Sequence, residues 1–158
     1  SAWPDLSFDI SKPWITLKEE SPAQIKGQVI RKVIINFTDR YRENLDYFFL
    51  QNYAPDLIFS GTEKEAWLFC NRWGLTIPSL KVDNFLEVAY ALKACRFMMG
   101  TQSFHWNISN AMDTPRVLEV CKWADNCQPF VGDNNVGHFY QVGIEYYFRT
   151  MYNKTANK

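Results

Sequence analysis

The sequence predicts an α/β fold of three layers, in which a mostly parallel sheet of about five strands carries helices on both faces. Two observations predict it. Short apolar runs of strand length recur along the chain, and segments with helical apolar spacing separate them. Several of these segments open with a helix-capping pattern. Strands that alternate with helices at such intervals favour right-handed connections and parallel pairing.

Composition narrows the classes of function. The 158 residues have the length of about one domain, and 47% of them are apolar. Lys plus Arg equal Asp plus Glu at 17 each, so no net charge indicates a nucleic-acid or membrane-surface partner. No apolar run reaches the roughly 18 residues of a membrane span, and no signal peptide is visible, so we expect a cytoplasmic protein. Two histidines and four cysteines without C-x-x-C spacing predict no metal site.

The domain boundary is predicted at residue 27. Residues 1–27 carry three prolines and no clear periodicity, so we interpret them as a lead-in arm or interdomain linker. Residues 28–158 carry the alternating pattern and form the domain. Because the first residue is Ser rather than Met, we expect either a processed start or a piece of a longer protein.

The first half of the domain alternates strand and helix. Residues 32–37 and 57–60 are apolar runs that suit central parallel strands buried on both faces. Between them, residues 44–53 form an aromatic helix candidate that Pro55 ends. A capping-box pattern then predicts a helix over residues 62–73.

A third, shorter strand is predicted over residues 77–82, before a helix that Asn84 caps. The fourth strand, residues 96–99, leads through Gly100 to a helix that Ser103 caps.

The last part of the chain is predicted to hold one strand and one helix. Residues 117–120 form the fifth strand, and residues 122–137 form a long polar loop. Apolar residues spaced over 140–151 predict a C-terminal helix. The whole pattern is Rossmann-like, and in such sheets ligands bind beyond the carboxyl ends of the strands.

The junction from Gly100 to Ser103 is the sharpest candidate site. A helix N-terminus offers unpaired N–H groups and a partial positive charge, so it binds phosphate when small residues allow close approach. Gly100 and Ser103 are small enough. A plain strand–turn–helix connection is the alternative, and the local pattern alone favours it.

The wider segment carries a family resemblance. Residues 100–118 read G-T-Q-S-F-H-W-N-I-S-N-A-M-D-T-P-R-V-L. This resembles the signature of bacterial heptosyltransferases, two-domain GT-B glycosyltransferases that use ADP-heptose, which runs G-x-D-[ST]-G-x-x-H-[LI]-x-x-A-x-x-x-P-x-[VI]. The positions that fit are Gly100, Ser103, Ile108, Ala111, Pro115 and Val117. The chain departs from the signature with Gln102 at the acidic position, Phe104 at the second glycine and Asn107 at the phosphate-contacting histidine.

The resemblance spans about residues 12–121 and implies a domain that binds a nucleoside-diphosphate sugar. Transfer would need a partner domain, in cis or in trans, because the family's catalytic base lies there. No metal or further cofactor is implied. The implied contacts to the donor phosphates are Thr38, Arg40, Arg42, Gly100, Thr101, Gln102, Ser103 and Asn107. The implied contacts to the nucleoside or sugar are Gly61, Thr62, Asn84 and Trp123.

Alternatives stay open for several of these residues. Arg40 and Arg42 either bind phosphate or are solvated and paired with nearby carboxylates. His105 is a weak candidate for a general base, since the sequence places no carboxylate partner beside it. Glu119, in a buried strand pattern, needs a partner such as Arg116 or Lys122, or points at the site. The whole domain could also be a non-catalytic interaction module on the same scaffold.

Overall fold

The computed structural model describes residues 13–18, 22–125 and 134–156. A short hairpin pairs β1 (Gln24–Ile25) with β2 (Gln28–Val29). The main sheet has five parallel strands: β3 (Val33–Asn36), β4 (Leu57–Phe59), β5 (Phe97–Gly100), β6 (Arg116–Glu119) and β7 (Asn135–His138). The helices are a 3₁₀ helix (Phe48–Asp56), α1 (Glu63–Trp73), α2 (Phe85–Ala94), α3 (Phe104–Ala111) and α4 (Gln141–Lys154). The predicted α/β fold is confirmed.

The strand order identifies where the sheet reverses direction. The strands lie in the order β4-β3-β5-β6-β7, which is 2-1-3-4-5 in the order of the chain. This is the order of flavodoxin-like sheets, and a ligand crevice in such sheets opens where the order reverses. Here the reversal lies between β3 and β5, at the ends formed by Asn36 and Gly100.

The predicted third strand is reduced to one parallel bridge, between Ser79 and Phe59 at the outer edge of β4. Pro78 has no N–H to donate and contributes only its carbonyl, which accepts from the Phe59 N–H at 2.8 Å. Counting this segment as a strand gives the order 3-2-1-4-5-6 of the Rossmann fold, and the reversal stays between β3 and β5.

Both faces of the sheet are buried, which explains the continuous apolar runs. Alternate residues along a strand point to opposite faces. On one face Ile35 and Phe59 pack in a core with α1, α4 and the 3₁₀ helix, which contributes Leu50. On the other face Ile34 packs in a second core with α2 and α3, which includes Leu92. The three layers follow directly from this alternation.

Three helices start at the capping residues that the sequence predicts. Thr62 and Glu65 form a capping box at the start of α1, each side chain accepting from the other residue's backbone N–H. Asn84 caps α2, and Ser103 caps α3. α1 ends at Gly74, whose φ of 61° is the left-handed conformation that favours glycine. These local signals are reliable because each needs only a few neighbouring residues.

Two predicted segments differ from the structure. The aromatic segment forms a 3₁₀ helix that contains Pro55 instead of ending before it. The predicted polar loop over residues 122–137 holds β7, an edge strand without the β-branched or aromatic residues that usually indicate a strand, apart from Val136. The middle of that loop, residues 126–133, lies outside the described residues.

The predicted arm is joined to the domain at two places. The boundary at residue 27 falls in the turn of the β1–β2 hairpin, and Ile25 is buried in the core on the α2 face. Earlier in the chain, the N–H groups of Trp14 and Ile15 both donate to the carbonyl of Ala111 at the end of α3. Residues 1–12 and 19–21 lie outside the described part. Across the described ranges no helix is long and apolar enough to cross a membrane.

Candidate functional site

Asn36, the last residue of β3, connects the ends of β4 and β5 and the start of α3 through its buried side chain and its backbone carbonyl. Its Nδ2 donates to the Ser60 carbonyl beyond β4 at 2.6 Å. Its Oδ1 accepts from the Ser103 hydroxyl at the start of α3, also at 2.6 Å. The carbonyl of Asn36 accepts from the Thr101 N–H at 3.1 Å. The start of α3 is therefore fixed beside the end of β4, at the reversal point of the sheet.

The first residues of α3 leave hydrogen-bond donors unused. The Ser103 hydroxyl accepts from the Trp106 N–H, which satisfies one donor of the first turn. The N–H groups of Gln102, Ser103 and Phe104 have no partner among the residues that the structure describes. Such donors, with the positive end of the helix dipole, form a site suited to a phosphate group.

Beyond the ends of β3 and β5, two threonines contact each other and fill the space between the two chain segments. Thr101 is fully buried, and its hydroxyl accepts from the Thr38 N–H at 3.1 Å. The two hydroxyl oxygens lie 3.3 Å apart. The hydroxyl and the N–H of Thr101 are therefore both engaged inside the protein. This leaves Gln102, Ser103 and Phe104 as the part of the junction that a ligand can reach.

Gly100 has a different role from the one its sequence context indicates. A Cβ at this position would lie 1.9 Å from the carbonyl oxygen of Asn36, far inside van der Waals contact. The absence of a side chain is thus required for β5 to lie against β3. Nothing in this geometry needs a ligand to approach Gly100 itself.

Arg42 is held away from bulk solvent by a buried carboxylate. Its Nε lies 3.3 Å from Oε2 of Glu119, and its guanidinium lies over the ring of Phe37. Glu119 is fully buried and also accepts from the Tyr47 hydroxyl and from the Glu43 N–H. Burial raises the pKa of the Glu119 carboxyl, against the opposing effect of Arg42.

The ion pairs near Glu119 differ from the ones that the sequence indicates. Arg116 and Lys122 were the partners considered for Glu119. Arg116 instead pairs with Asp113 and donates to the carbonyl of Thr114, and Lys122 pairs with Glu43. Arg40 is exposed, with its guanidinium near the ring of Tyr41. Of the two arginines after β3, Arg40 is the one that can move freely toward an anion.

His105 lies next to this junction on the first turn of α3. Its Nε2 is 2.8 Å from the hydroxyl oxygen of Ser60, a buried residue. Burial lowers the pKa of His105 to about 4, although the charge of Glu65 opposes this. The imidazole is therefore uncharged at neutral pH, and its proton affinity is too low for an efficient general base there.

The pKa of His105 predicts an acid-side loss of stability. Its folded-state pKa lies below its unfolded value, so the stability linked to the neutral ring is present above about pH 6.5 and is lost as pH falls toward 4. As pH falls from 7 to 4.5, we expect the free energy of unfolding to decrease less for His105→Gln than for the parent. Urea denaturation at each pH measures this decrease. Asn107→Gln, an exposed and non-titrating substitution on the same helix, is the control and should show the full loss. Equal losses in parent and His105→Gln would contradict the prediction.

A cavity of about 660 Å³ opens beyond β4, between α1 and the segment that contains Ser79. Trp67 forms one wall, and Leu80 is among its apolar lining residues. Gly61 lines the cavity, and a Cβ on Gly61 would lie 3.5 Å from Nδ2 of Asn36. One residue thus separates the cavity from the polar junction around Asn36.

Of the predicted nucleoside contacts, Gly61, Thr62 and Asn84 lie at or next to this cavity, and Trp123 does not. Gly61 lines it, and Thr62 follows directly with its hydroxyl in the capping box of α1. Asn84 caps α2 next to Asp83, which lines the cavity. Trp123 is 80% exposed beyond β6 and is not among the lining residues.

Asn107, a predicted phosphate contact, is exposed on α3, and its N–H donates to the Ser103 carbonyl one turn earlier. Sequence reasoning missed three residues that the structure brings to this edge, namely Asn36, Ser60 and Trp67. Asn36 and Ser60 are polar residues that close apolar strand runs, a signal that was available in the sequence. Trp67 lies on a helix that reads as amphipathic, and only the fold shows that its indole remains exposed.

The fold and the junction define a Rossmann-like α/β domain whose strand order reverses beside the start of α3. No group of three or more His, Cys, Asp or Glu side chains suited to a metal ion occurs within residues 13–18, 22–125 and 134–156. A scan against protein-family models, a search of curated proteins and a search of solved structures each found no match to this chain.

Proposed function

We propose that this chain is the donor-binding domain of a glycosyltransferase-like protein and that its ligand is a nucleoside-diphosphate sugar. The observation that carries the proposal is the position of Asn36. One buried amide joins the start of α3 to the backbone beside Gly61. Unpaired N–H donors and a cavity of ligand size therefore adjoin at the carboxyl edge of the sheet, where ligands of such folds bind.

The diphosphate would bind at the start of α3. The N–H groups of Gln102, Ser103 and Phe104 supply donors, and the helix dipole adds positive potential. Arg40 on the loop after β3 adds a mobile cation. In this proposal backbone donors and Arg40 hold the phosphates without a metal ion.

The nucleoside would occupy the cavity beyond β4. Its volume of about 660 Å³ lies within the range of roughly 300 to 1,000 Å³ that small-molecule sites usually have. Gly61 lines this cavity and lies next to Asn36, which supports one ligand extending from the cavity toward the start of α3.

Transfer would require a second domain, in cis or in trans. His105 is a poor base at neutral pH, and Glu65 is engaged in the capping box of α1. The acceptor pocket and the catalytic base would then come from the partner domain. Alone, this chain would bind the donor without transferring the sugar.

A non-catalytic interaction module is the second candidate. Phe85 and Phe104, the first residues of α2 and α3, are 73% and 41% exposed, and their ring centroids lie 4.6 Å apart. Leu86 beside them is also exposed. An apolar patch of this kind is typical of a contact with another protein.

Nucleotide binding is the direct test of the first candidate. We expect at least one of ADP, UDP, GDP and CDP to raise the melting temperature by about 5 to 10 °C at a hundred times its Kd, as measured by differential scanning fluorimetry.

Asn107→Asp places a negative charge on the first turns of α3, where it favours the helix but repels phosphate. This variant should bind at least about tenfold more weakly than the parent.

Asn52→Asp is the matched control, because it adds the same charge at an exposed position on the 3₁₀ helix. Its affinity should equal that of the parent. If none of the four nucleotides shifts the melting temperature, the donor-binding proposal is wrong and the interaction module becomes the better candidate.

A further inference from the structure

We propose that Trp67 is the residue on which the nucleotide base stacks, in the cavity beyond β4. This inference rests on the proposed function and names the part of the site that recognises the base. It differs from the sequence expectation, which placed an exposed tryptophan at Trp123 near the nucleoside.

Trp67 lies on the exposed face of α1, with Glu63 and Asn71 one turn before and after it, and a tryptophan is an unusual residue at such a position. Its neighbours Ala66 and Phe69 are buried in the core, whereas Trp67 is 64% exposed. Its indole contacts no other aromatic ring among the described residues. A large apolar ring left uncovered on a concave surface indicates a binding site, because burying that ring releases free energy.

The rest of the cavity selects a flat ring with polar edges. Cys70, Ile77 and Leu80 supply apolar surface around the indole. The polar and charged lining residues are Lys26, Glu63, Ser79, Lys81 and Asp83. Donors and acceptors around an apolar surface match a nucleobase, whose faces are apolar and whose edges form hydrogen bonds. Lys26 and Asp83 form an ion pair with each other, so Glu63, Ser79 and Lys81 are the side chains most available to the edge of a base.

The position of the cavity also fits the connection between base and phosphate. Gly61 lines the cavity, and Asn36 beside it accepts from the Ser103 hydroxyl at the start of α3. Protein atoms fill the side of Gly61 on which a Cβ would lie, with the ring of Phe59 2.8 Å away, whereas the residue as a whole is exposed. In this proposal a base stacked on Trp67 would extend its ribose and phosphates over the exposed backbone of Gly61 toward α3.

The test compares Trp67→Ala, Trp67→Phe and the control Trp123→Ala. Binding of ADP, UDP, GDP and CDP is measured by calorimetry. Binding of the four nucleosides is followed by protection of Cys70, a half-buried thiol in the same cavity, from iodoacetamide, with the labelled peptide read by mass spectrometry. We expect Trp67→Ala to weaken binding about tenfold, since loss of one base stack costs about 1 to 3 kcal/mol. Trp67→Phe should recover most of the affinity, and Trp123→Ala should bind as the parent does.

The outcomes separate this inference from the proposed function. One outcome is that Trp67→Ala leaves the nucleotide affinity unchanged and that ligands leave Cys70 labelled at its ligand-free rate. This would overturn the inference and keep the donor-binding function. Nucleosides that protect Cys70 in a Trp67-dependent way, with no added affinity from the phosphates, would support the inference and reject the phosphate site. If calorimetry detects no nucleotide binding and neither nucleotides nor nucleosides protect Cys70, both proposals are wrong.

Discussion

Glu119→Ala is expected to lower the free energy of unfolding by about 3 to 5 kcal/mol at pH 7. The change removes the carboxylate that pairs with Arg42 and accepts from the Tyr47 hydroxyl and the Glu43 N–H. These groups lie in or beside the core and would lose their acceptor while their access to water stays restricted. Equilibrium urea denaturation, followed by circular dichroism, measures the loss.

Glu119→Gln is the informative control, because it keeps the size of the side chain and one acceptor oxygen. It should cost less than the alanine variant. The pKa of Glu119 is raised, so the fold favours its protonated form, and that contribution to stability is lost as pH rises through the folded-state pKa. The stability of Glu119→Gln relative to the parent should therefore increase as pH rises from 4.5 to 7. A cost below about 1 kcal/mol for Glu119→Ala would show that the cluster adds little.

Gly100→Ala is expected to destabilise the fold by about 3 kcal/mol or more, because overpacking against rigid backbone has little room to relax. The added Cβ would meet the carbonyl oxygen of Asn36 at 1.9 Å, and moving it away would separate β5 from β3. Thermal and urea unfolding of the purified variant measure the effect, and failure to yield folded protein agrees with it.

Gly27→Ala serves as the comparison. Gly27 has no atom within 4 Å of its Cβ position, and its φ of 75° makes the substitution strained by about 1 kcal/mol. If Gly100→Ala costs no more than Gly27→Ala, the close approach of β3 and β5 is not rigid. Substitutions at Gly100 are unsuitable as tests of ligand binding, because they disturb the sheet first.

Local signals in the sequence predicted much of the fold. The capping residues Thr62, Asn84 and Ser103 start helices as expected, because a cap depends on residues three positions apart. The central strands were visible as apolar runs because both faces of the sheet are covered. β7 was missed, since it is an edge strand in which Asn135 and Gly137 give no apolar pattern.

The candidate site was predicted less completely, because its contacts join distant parts of the chain. Arg42 and Glu119 are 77 residues apart, and nothing near either residue identifies the other as its partner. The side chain of Asn36 reaches Ser103 across 67 residues. The sequence identified the start of α3 as a candidate anion site, but the closure of the gap by Thr38 and Thr101 could be seen only in three dimensions.

The tie to Glu119 also fixes the course of the chain that follows β3. β5 lies between β3 and β6, so the segment from Asn36 must cross the end of β5 before the Glu43 N–H reaches Glu119. The carboxylate of Glu43 in turn accepts from the Lys122 N–H, which joins this segment to the one after β6. Because Arg40 lies within the crossing segment, loss of Glu119 would release the loop that carries Arg40 as well as weaken the core.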